Sequence, residues 1–251
     1  MTPTNISYLI LLVAIACIIT YFICNILFAQ LIAKAFYKTD IRKQGSGNPG
    51  ATNLLRITKN RKVGVIAALC DAAKGYICVL ASAELIGLFL KNIDQDNPSI
   101  RFLAFLPAVF AVVGHCFPMK YLINLAKGKT KEELKYYSGG KGVSTYGGTL
   151  LAISPYMGII CLGAWFIIAY ISKYVSLASI ISTVICAPLI FIHVLWIPGN
   201  FPIDYTYNES SLALIYVIEE VSAFIVVWRH SQNITRLLNK TESKVFNKKS
   251  V

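Results

Sequence analysis

The chain has 251 residues, of which 56% are hydrophobic and 14% are charged, and its mean hydropathy is +0.60. A soluble domain carries about 25% charged residues, so this composition excludes an ordinary soluble protein and predicts an integral membrane protein. The net charge is +12, and 20 of the 24 Lys and Arg residues lie in the three stretches 34–62, 119–141 and 229–251. Because each stretch follows an apolar span, we interpret them as cytoplasmic segments rather than as a nucleic-acid surface.

The first half of the chain predicts three crossings of the bilayer. Residues 6–33 are apolar and uncharged, which is long enough to cross with some tilt. The basic stretch behind this segment places the N-terminus outside. A second span at 63–90 returns outward to a short charge-balanced segment at 91–101, and residues 102–118 cross inward again.

A long apolar run in the second half is interrupted by Ser154-Pro155. Proline cannot continue a helix that precedes it, so we predict two helices, 143–153 and 156–172. Eleven residues are few for a complete crossing, and both a short span and a re-entrant piece remain open for 143–153.

The remaining apolar segments complete the predicted topology. Residues 175–199 cross outward to a loop at 200–210 that has no Lys or Arg, and residues 211–228 cross back to the basic tail 229–251. We therefore predict an all-α integral membrane protein of about seven transmembrane helices, one of them short or re-entrant. Its N-terminus would be outside, its C-terminus cytoplasmic, and residues 1–251 would form a single domain.

Some side chains inside the spans also call for an interpretation. Asp71 and Lys74 lie at i and i+3, hence on one helix face, and both a structural ion pair and a role in a site are open. The seven cysteines include no CxxC pair. We predict that they are small buried hydrophobes rather than disulfide partners or metal ligands.

Four polar motifs gather on the predicted cytoplasmic face. They are Gly45–Arg56 (GSGNPGATNLLR), Gly114–Pro118 (GHCFP), Ser138–Val143 (SGGKGV) and Arg229–Arg236 (RHSQNITR), the last followed by Glu242. Glycine-rich loops converge backbone N–H groups on anions, and Gly139–Gly142 would open a helix whose N-terminus is aimed at an anion. Together the motifs suit a phosphate-rich pocket. On composition alone, an ordinary juxtamembrane turn explains Gly45–Arg56 equally well.

These motifs resemble those of the bacterial acyl-phosphate:glycerol-3-phosphate acyltransferases, the PlsY family. The similar stretches occur in the family order, and they are GSGNPGATNLLR at 45–56, DAAKG at 71–75, GHCFP at 114–118, GGKGVSTYGGTLLAISP at 139–155, YVSLASI at 174–180 and RHSQNITRLL at 229–238 with Glu242. The resemblance covers nearly the whole chain.

The resemblance implies a seven-helix enzyme of the bacterial inner membrane with its active site facing the cytoplasm. Such an enzyme transfers a fatty acyl group from acyl phosphate to the 1-hydroxyl of sn-glycerol 3-phosphate, the first step of phospholipid synthesis. The products are 1-acylglycerol 3-phosphate (lysophosphatidate) and phosphate. A partner phosphate acyltransferase would supply the donor, and no acyl-CoA, metal, other cofactor or nucleic acid is expected.

Matched by motif, the resemblance implies catalytic roles for Lys141, His230 and Asn233. The substrate-binding residues that it implies are Ser46, Asn48, Asn53, Arg56, Ser176, Ser179 and Glu242. His230 and Asn233 would position glycerol 3-phosphate. Either His230 or a phosphate oxygen of the donor would accept the hydroxyl proton, and the sequence leaves that choice open.

Two departures from the family pattern affect these expectations. Residues 119–138 form a cytoplasmic insertion between the Phe-Pro and GGKG motifs, and Lys240 stands where the family usually has glycine. The lysine can distort the tail turn and displace Glu242. The competing interpretations are a membrane transporter or channel for an organic phosphate and an inactive relative. Polar motifs concentrated near one face favour the enzyme over the transporter.

Overall fold

The computed structural model describes residues 1–93, 98–196 and 209–244, and it is helical in all of these ranges. The α-helices are, in chain order, α1 Pro3–Cys24, α2 Phe28–Tyr37, α3 Ala51–Thr58, α4 Arg61–Asn92, α5 Pro107–Cys116, α6 Met119–Ala126, α7 Lys131–Leu134, α8 Val143–Ile153, α9 Pro155–Ser172, α10 Val175–Trp196, α11 Glu209–Trp228 and α12 Ser231–Leu238. The two 3₁₀ segments are Ile41–Lys43 and Pro98–Phe105. The predicted exterior loop at 200–210, apart from its last two residues, lies outside the described residues.

Several helices are long and apolar enough to cross a bilayer. Within the described ranges four segments qualify, namely Pro3–Tyr37, Arg61–Asn92, Pro155–Ser172 and Ser211–Trp228. A fifth is reached if Ile100–Cys116 and Met119–Ala126, which are bent by 67° relative to each other, count as one broken span. The predicted all-α membrane fold is confirmed, whereas the count of seven crossings and the orientation of the termini stay predictions.

Large apolar side chains cover the outside of the long helices. Ile10 of α1, Leu69 of α4, Ile159 of α9 and Phe224 of α11 are 62–69% exposed. A water-soluble monomer rarely exposes such side chains on every outer helix face, because apolar surface in water is unfavourable. Lipid tails are their natural solvent, and the bundle therefore presents its outer faces to a bilayer.

The short helix α8 packs directly against α4 in the centre of the bundle. A Cβ added to Gly75 would lie 2.5 Å from the carbonyl oxygen of Thr145, and one added to Gly148 would lie 2.0 Å from that of Ala72. Glycine on both helices therefore brings the two backbones into contact. As predicted, α8 ends before Pro155, and its eleven residues measure roughly 16 Å, about half of a hydrocarbon core.

The predicted first span at 6–33 consists of two helices rather than one. Helix α1 ends at Cys24, and the amide of Asn25 donates to the carbonyl oxygen of Tyr21 at 2.6 Å. The side-chain oxygen of Asn25 also accepts from the backbone N–H of Met119 at 2.6 Å, where α6 begins. This asparagine therefore ties the end of α1 to the start of the inserted segment.

The prediction that no cysteine forms a disulfide was wrong for one pair. Cys161 of α9 and Cys186 of α10 are bonded, with their Cα atoms 5.8 Å apart. The pair is 25 residues apart in sequence and adjacent only because α9 and α10 fold back on each other. The five other cysteines are free.

Four lysines have the left-handed backbone conformation that favours glycine. Lys38, Lys59, Lys173 and Lys240 have φ angles of 50°, 54°, 64° and 58°. The first three are the C-terminal caps of α2, α3 and α9, and Lys240 follows α12. Each of these helices therefore ends in the usual left-handed turn with a cation in place of glycine.

Candidate active site

The glycine-rich loop before α3 is held by one side chain. Asn53 accepts from the backbone N–H of Ser46 at 2.9 Å and donates to the carbonyl oxygens of Ile41 at 2.9 Å and Gln44 at 3.1 Å. Gly45 has φ of 57°, and a Cβ there would lie 2.3 Å from the Asn53 side-chain oxygen. Glycine is therefore required for the close approach of the loop to Asn53.

These contacts give Asn53 a role in the structure of the loop. Both amide hydrogens are bonded to backbone carbonyls and the side chain is buried, so Asn53 supports the loop, and its contact with substrate stays a prediction. Ser46 and Asn48 remain at the loop surface, where the Ser46 hydroxyl accepts a long 3.5 Å bond from the N–H of Asn48.

The GGKG loop is clamped between two helices. Arg229, at the end of α11, donates to the carbonyl oxygens of Gly139 at 2.9 Å and Gly140 at 3.2 Å. The N–H of Gly140 donates to the carbonyl oxygen of His115 at 3.1 Å. The expectation that the N–H groups of this loop face an anion is therefore incorrect for Gly140. Gly142, with φ of 85°, caps the N-terminus of α8.

Lys141 joins a cluster centred on the carboxylate of Glu242. Its ammonium donates to the side-chain oxygen of Asn233. The Asn233 amide in turn donates to Glu242 Oε1 at 2.8 Å, and the Ser176 hydroxyl donates to the same oxygen at 2.9 Å. Arg236 donates to Glu242 Oε2 at 2.7 Å. The structure therefore brings together four of the residues that sequence matching selected.

The tail turn that carries Glu242 is intact despite the lysine in the glycine position. Lys240 adopts the left-handed conformation, and the N–H groups of Thr241 and Glu242 donate to the carbonyl oxygen of Arg236 at 2.8 and 3.1 Å. Such bonds are typical of a helix that ends in a left-handed residue. The expected distortion of the turn does not occur.

Arg56 connects the first motif to this cluster. Its Nη2 donates to the hydroxyl of Ser243 at 2.7 Å, across 187 positions of sequence. The remainder of the guanidinium is exposed at the end of α3. The first motif, the GGKG loop and the tail therefore border one polar region.

His230 is buried at the end of α11 and is a neutral base. Its Nδ1 lies 2.7 Å from the carbonyl oxygen of Val226, which can only accept, so Nδ1 carries the proton and Nε2 the lone pair. Burial first, and then the positive charge of Lys141, lower the pKa of His230 to about 4. The imidazole is therefore uncharged at neutral pH.

The electrostatics of the cluster favour an anion. Burial lowers the pKa of Lys141 to about 8, opposed by Glu242 and reinforced by Arg236, Arg229 and Arg56. Burial alone would raise the pKa of the Glu242 carboxyl, but its hydrogen bonds, first that from Arg236, hold the pKa below its ordinary value. Four cations around one carboxylate leave a net positive site, and a phosphate dianion would stabilise the charged form of Lys141.

Ser179 belongs to the helix packing rather than to the polar cluster. Its hydroxyl donates to the carbonyl oxygen of Val175 at 2.9 Å and accepts from the indole N–H of Trp165 at 3.0 Å. Ser176, one turn earlier, is the serine that reaches Glu242. Of the two serines, the structure therefore brings only Ser176 into the polar cluster, and a substrate-binding role stays a prediction for both.

Sequence reasoning passed over two arginines that shape the site. Arg229 fixes the GGKG carbonyls, and Arg236 neutralises Glu242. Both lie inside the RHSQNITR motif, beside the predicted site histidine and asparagine. Their positive charge at these positions could have indicated a role in the site. Within the described residues no group of three or more His, Cys, Asp or Glu side chains could hold a metal ion.

The chain is similar to known glycerol-3-phosphate acyltransferases over most of its length. A family model described as glycerol-3-phosphate acyltransferase matches residues 14–240. The glycerol-3-phosphate acyltransferase of Mycoplasma pneumoniae is 35% identical over 256 residues, which cover 95% of this chain and 97% of the relative. That of Malacoplasma penetrans is 36% identical over 271 residues, with 98% of each chain covered.

A solved structure is similar over the same length. The crystal structure of PlsY, an integral membrane glycerol 3-phosphate acyltransferase in its glycerol 3-phosphate form, matches with a TM-score of 0.68 and 28% identity. The match covers 92% of this chain and 94% of the other. The chain therefore shares the overall fold of a membrane acyltransferase.

Proposed function

The chain belongs to the glycerol-3-phosphate acyltransferase family, and we propose that it uses acyl phosphate as its acyl donor. It transfers the acyl group to the 1-hydroxyl of sn-glycerol 3-phosphate and releases lysophosphatidate and phosphate. The observation that carries this proposal is the partly buried cluster of Lys141, Asn233 and Glu242 beside a neutral His230, which Arg56, Arg229 and Arg236 make net positive. Both substrates carry phosphate, which such a cluster suits. The family assignment removes the basis for the transporter alternative.

The reaction needs positioning and charge stabilisation more than activation, because an acyl phosphate is already reactive. The 1-hydroxyl oxygen bonds to the acyl carbonyl carbon, the bond from that carbon to the bridging phosphate oxygen breaks, and phosphate leaves. Lys141 and Arg56 would bind phosphate oxygens, and Asn233 would orient glycerol 3-phosphate. Ser46, which is exposed, and Asn48, which is half-buried, would contact phosphate from the glycine-rich loop.

The hydroxyl proton has two possible acceptors in this arrangement. His230 presents the lone pair of Nε2, because Nδ1 donates to the carbonyl oxygen of Val226. A departing phosphate oxygen is the other acceptor. The supporting geometry for His230 is its burial beside Lys141, and a His230→Gln variant with normal turnover would favour the phosphate.

The proposed cellular setting is the bacterial inner membrane, with the site on the cytoplasmic side. Its support is the concentration of Lys and Arg in 34–62, 119–141 and 229–251, since cytoplasmic loops carry the excess of positive charge. The head groups would lie in the polar cluster and the acyl chain in lipid. A phosphate acyltransferase would supply the donor, and no cofactor or metal is proposed.

A donor-exchange assay tests the proposal. The purified protein in lipid nanodiscs is given radiolabelled glycerol 3-phosphate and either palmitoyl phosphate or palmitoyl-CoA, with a lipid-only disc as control. We expect labelled lysophosphatidate from palmitoyl phosphate alone. Product from palmitoyl-CoA alone would overturn the donor assignment. Absence of product from either donor, in protein that remains monodisperse, would support the inactive-relative interpretation.

A further inference from the structure

A buried trio of charged and polar side chains lies under the GGKG loop. The Lys74 ammonium donates to Asp71 Oδ1 at 2.6 Å, to His115 Nδ1 at 2.8 Å and to the carbonyl oxygen of Ile26 at 2.5 Å. Asp71, Lys74 and His115 are only 2%, 5% and 4% exposed. Every ammonium hydrogen therefore has an acceptor, which is the condition under which a buried ion pair is tolerated.

The trio is continuous with the loop that carries Lys141. The carbonyl oxygen of His115 accepts the N–H of Gly140, and a Cβ on Gly140 would lie 2.1 Å from His115 Nε2. A Cβ on Gly139 would lie 2.0 Å from the His115 carbonyl oxygen. The loop backbone thus rests on the His115 ring and peptide, and only glycine permits that approach.

We propose that Asp71, Lys74 and His115 are positioning residues. They hold the Gly139–Gly142 loop in place, and thereby keep Lys141 within hydrogen-bonding distance of Asn233. Lys74 fixes the His115 ring from α4, and His115 supports the loop from below. Arg229 holds the opposite side of the loop through its carbonyls. This inference rests on the proposed acyl transfer. A displacement of about 1 Å in such a group can cost on the order of 100-fold in rate.

A charge-neutral double variant tests the trio. Asp71→Asn/Lys74→Met removes both charges together, so no unpaired charge stays buried. We expect a folded protein whose kcat is lower by about ten- to hundredfold. Ser82→Ala on the same helix is the matched control, since Ser82 is buried and its hydroxyl donates to the carbonyl oxygens of Val79 and Ala104, which lie outside the trio. A kcat equal to that of wild type in folded double variant overturns the inference.

A double-mutant cycle provides a readout that a merely structural role would not change. Gly140→Ala should be strongly impaired, because the new methyl group meets the His115 ring. Adding His115→Ala removes that ring. The residual activity of the double variant should therefore exceed the product of the residual activities of the two single variants. Multiplicative losses would contradict the direct coupling. A wild type without activity would instead count against the proposed function, and the two failures are thereby distinguished.

A separate observation concerns the insertion at 119–138. Between its end and the loop before α3 lies a cleft of about 520 Å³, lined by Arg42, Lys43, Gln44, Gly45, Gly47, Lys135, Tyr136 and Tyr137. Three of these residues are cationic, and the lining includes none of the predicted substrate-binding side chains. The cleft therefore has the charge of an anion site that is distinct from the Lys141 cluster.

The insertion starts with an amphipathic helix that is tied to the end of α1. Helix α6 begins at Met119, whose backbone N–H donates to the side chain of Asn25. Its side chains Leu122, Ile123 and Leu125 are 37–49% exposed. We infer that α6 lies in the membrane interface, because an amphipathic helix there places its apolar side chains among the lipid head groups.

The geometry points to an anionic phospholipid head group as the occupant of this cleft. Arg42 donates through Nε to the carbonyl oxygen of Ser138, which closes the back of the cleft. The stem of Lys135 lies against Gly47, where an added Cβ would be 2.8 Å from its Cε. Lys43 and Lys135 are exposed and can approach a phosphate. Each lysine near an anionic surface contributes on the order of fivefold in affinity.

Native mass spectrometry of the intact protein tests this site without relying on catalysis. Protein from mixed discs is compared for retained phosphatidylglycerol and phosphatidylcholine. We expect wild type to retain phosphatidylglycerol, and Lys43→Gln/Lys135→Gln, which lacks two such lysines, to retain about 25-fold less. Lys59→Gln/Lys62→Gln removes two exposed charges outside the cleft and is the control. Equal retention in both double variants, or none in wild type, overturns the site. A raised glycerol 3-phosphate KM in the cleft variant would instead make it a substrate subsite.

Discussion

The two halves of the candidate site are held in opposite ways. In the glycine-rich loop, Asn53 bonds backbone groups of residues 7 to 12 positions away. In the Lys141 cluster, the ammonium meets Asn233, 92 positions later, and Glu242 meets Ser176 across 66 positions. The first half is thus a local structure held by a neutral amide, and the second is assembled by charged groups from distant helices.

This difference separates two kinds of sensitivity. A substitution in the loop should break a few neighbouring hydrogen bonds to the backbone, and it should therefore lower both stability and activity. A substitution in the charged cluster should lower activity and leave the helix bundle folded, because its members lie at or beside the ends of helices. Four substitutions or conditions distinguish the two halves, and they follow in order of expected effect.

The largest effect is expected at Lys141. Lys141→Ala removes a cation that would bind phosphate, and charge-assisted hydrogen bonds contribute about 1.5–3 kcal/mol. We expect kcat/KM for acyl transfer to fall by about 100-fold while the thermal midpoint stays near that of wild type. Lys62→Ala, at an exposed position on α4, is the control. A rate within twofold of wild type would exclude Lys141 from the site.

The rate should also fall as pH rises through the lowered pKa of Lys141. That pKa is about 8, so the Lys141 side chain is mostly charged below pH 8 and mostly neutral above it. We expect an alkaline limb that falls about tenfold per pH unit above pH 8. Lys141→Arg keeps its charge, and in this variant the limb should disappear between pH 8 and 10. An unchanged limb in the arginine variant would assign it to another group.

A smaller effect is expected at Asn53, and it should appear in stability as well. Asn53→Ala leaves the buried carbonyl of Ile41 without its partner, which costs about 1–3 kcal/mol. We expect a lower thermal midpoint and about a tenfold lower rate. Asn124→Ala, which loses only a bond to the carbonyl of Lys120, is the matched amide control. A variant with wild-type activity and a lower thermal midpoint would show that this loop bond contributes to stability and not to catalysis.

The smallest effect compares two serines one turn apart. Ser176→Ala removes a hydroxyl that bonds Glu242, and a neutral-to-charged hydrogen bond of this kind contributes about 1.5 kcal/mol, or roughly tenfold at most. Ser179→Ala removes a hydroxyl that bonds Val175 and Trp165, and its turnover should match that of wild type. If Ser179→Ala had the larger kinetic effect, the assignment of the two serines would be reversed.

The sequence allowed the membrane class, the helix break at Pro155 and the main cationic residues to be predicted. Periodicity and charge are properties of short segments, and Lys141 and Asn233 stood in recognisable motifs. The hydrogen-bond partners of Asn53 and Ser179 in the fold could not be predicted, since the sequence does not say whether an amide or hydroxyl faces substrate or a backbone carbonyl. The Cys161–Cys186 bond likewise depends on how two helices pack, which no local spacing encodes.

The lysines in left-handed turns have a practical consequence for producing the protein. A non-glycine residue in that conformation costs roughly 1 kcal/mol, partly offset because glycine is freer in the unfolded chain. Lys38→Gly, Lys59→Gly and Lys173→Gly lie outside the Lys141 cluster and should each make purified protein more resistant to heat in detergent. These three positions are therefore candidates for engineering a more thermostable variant, which would also have three fewer positive charges on its surface.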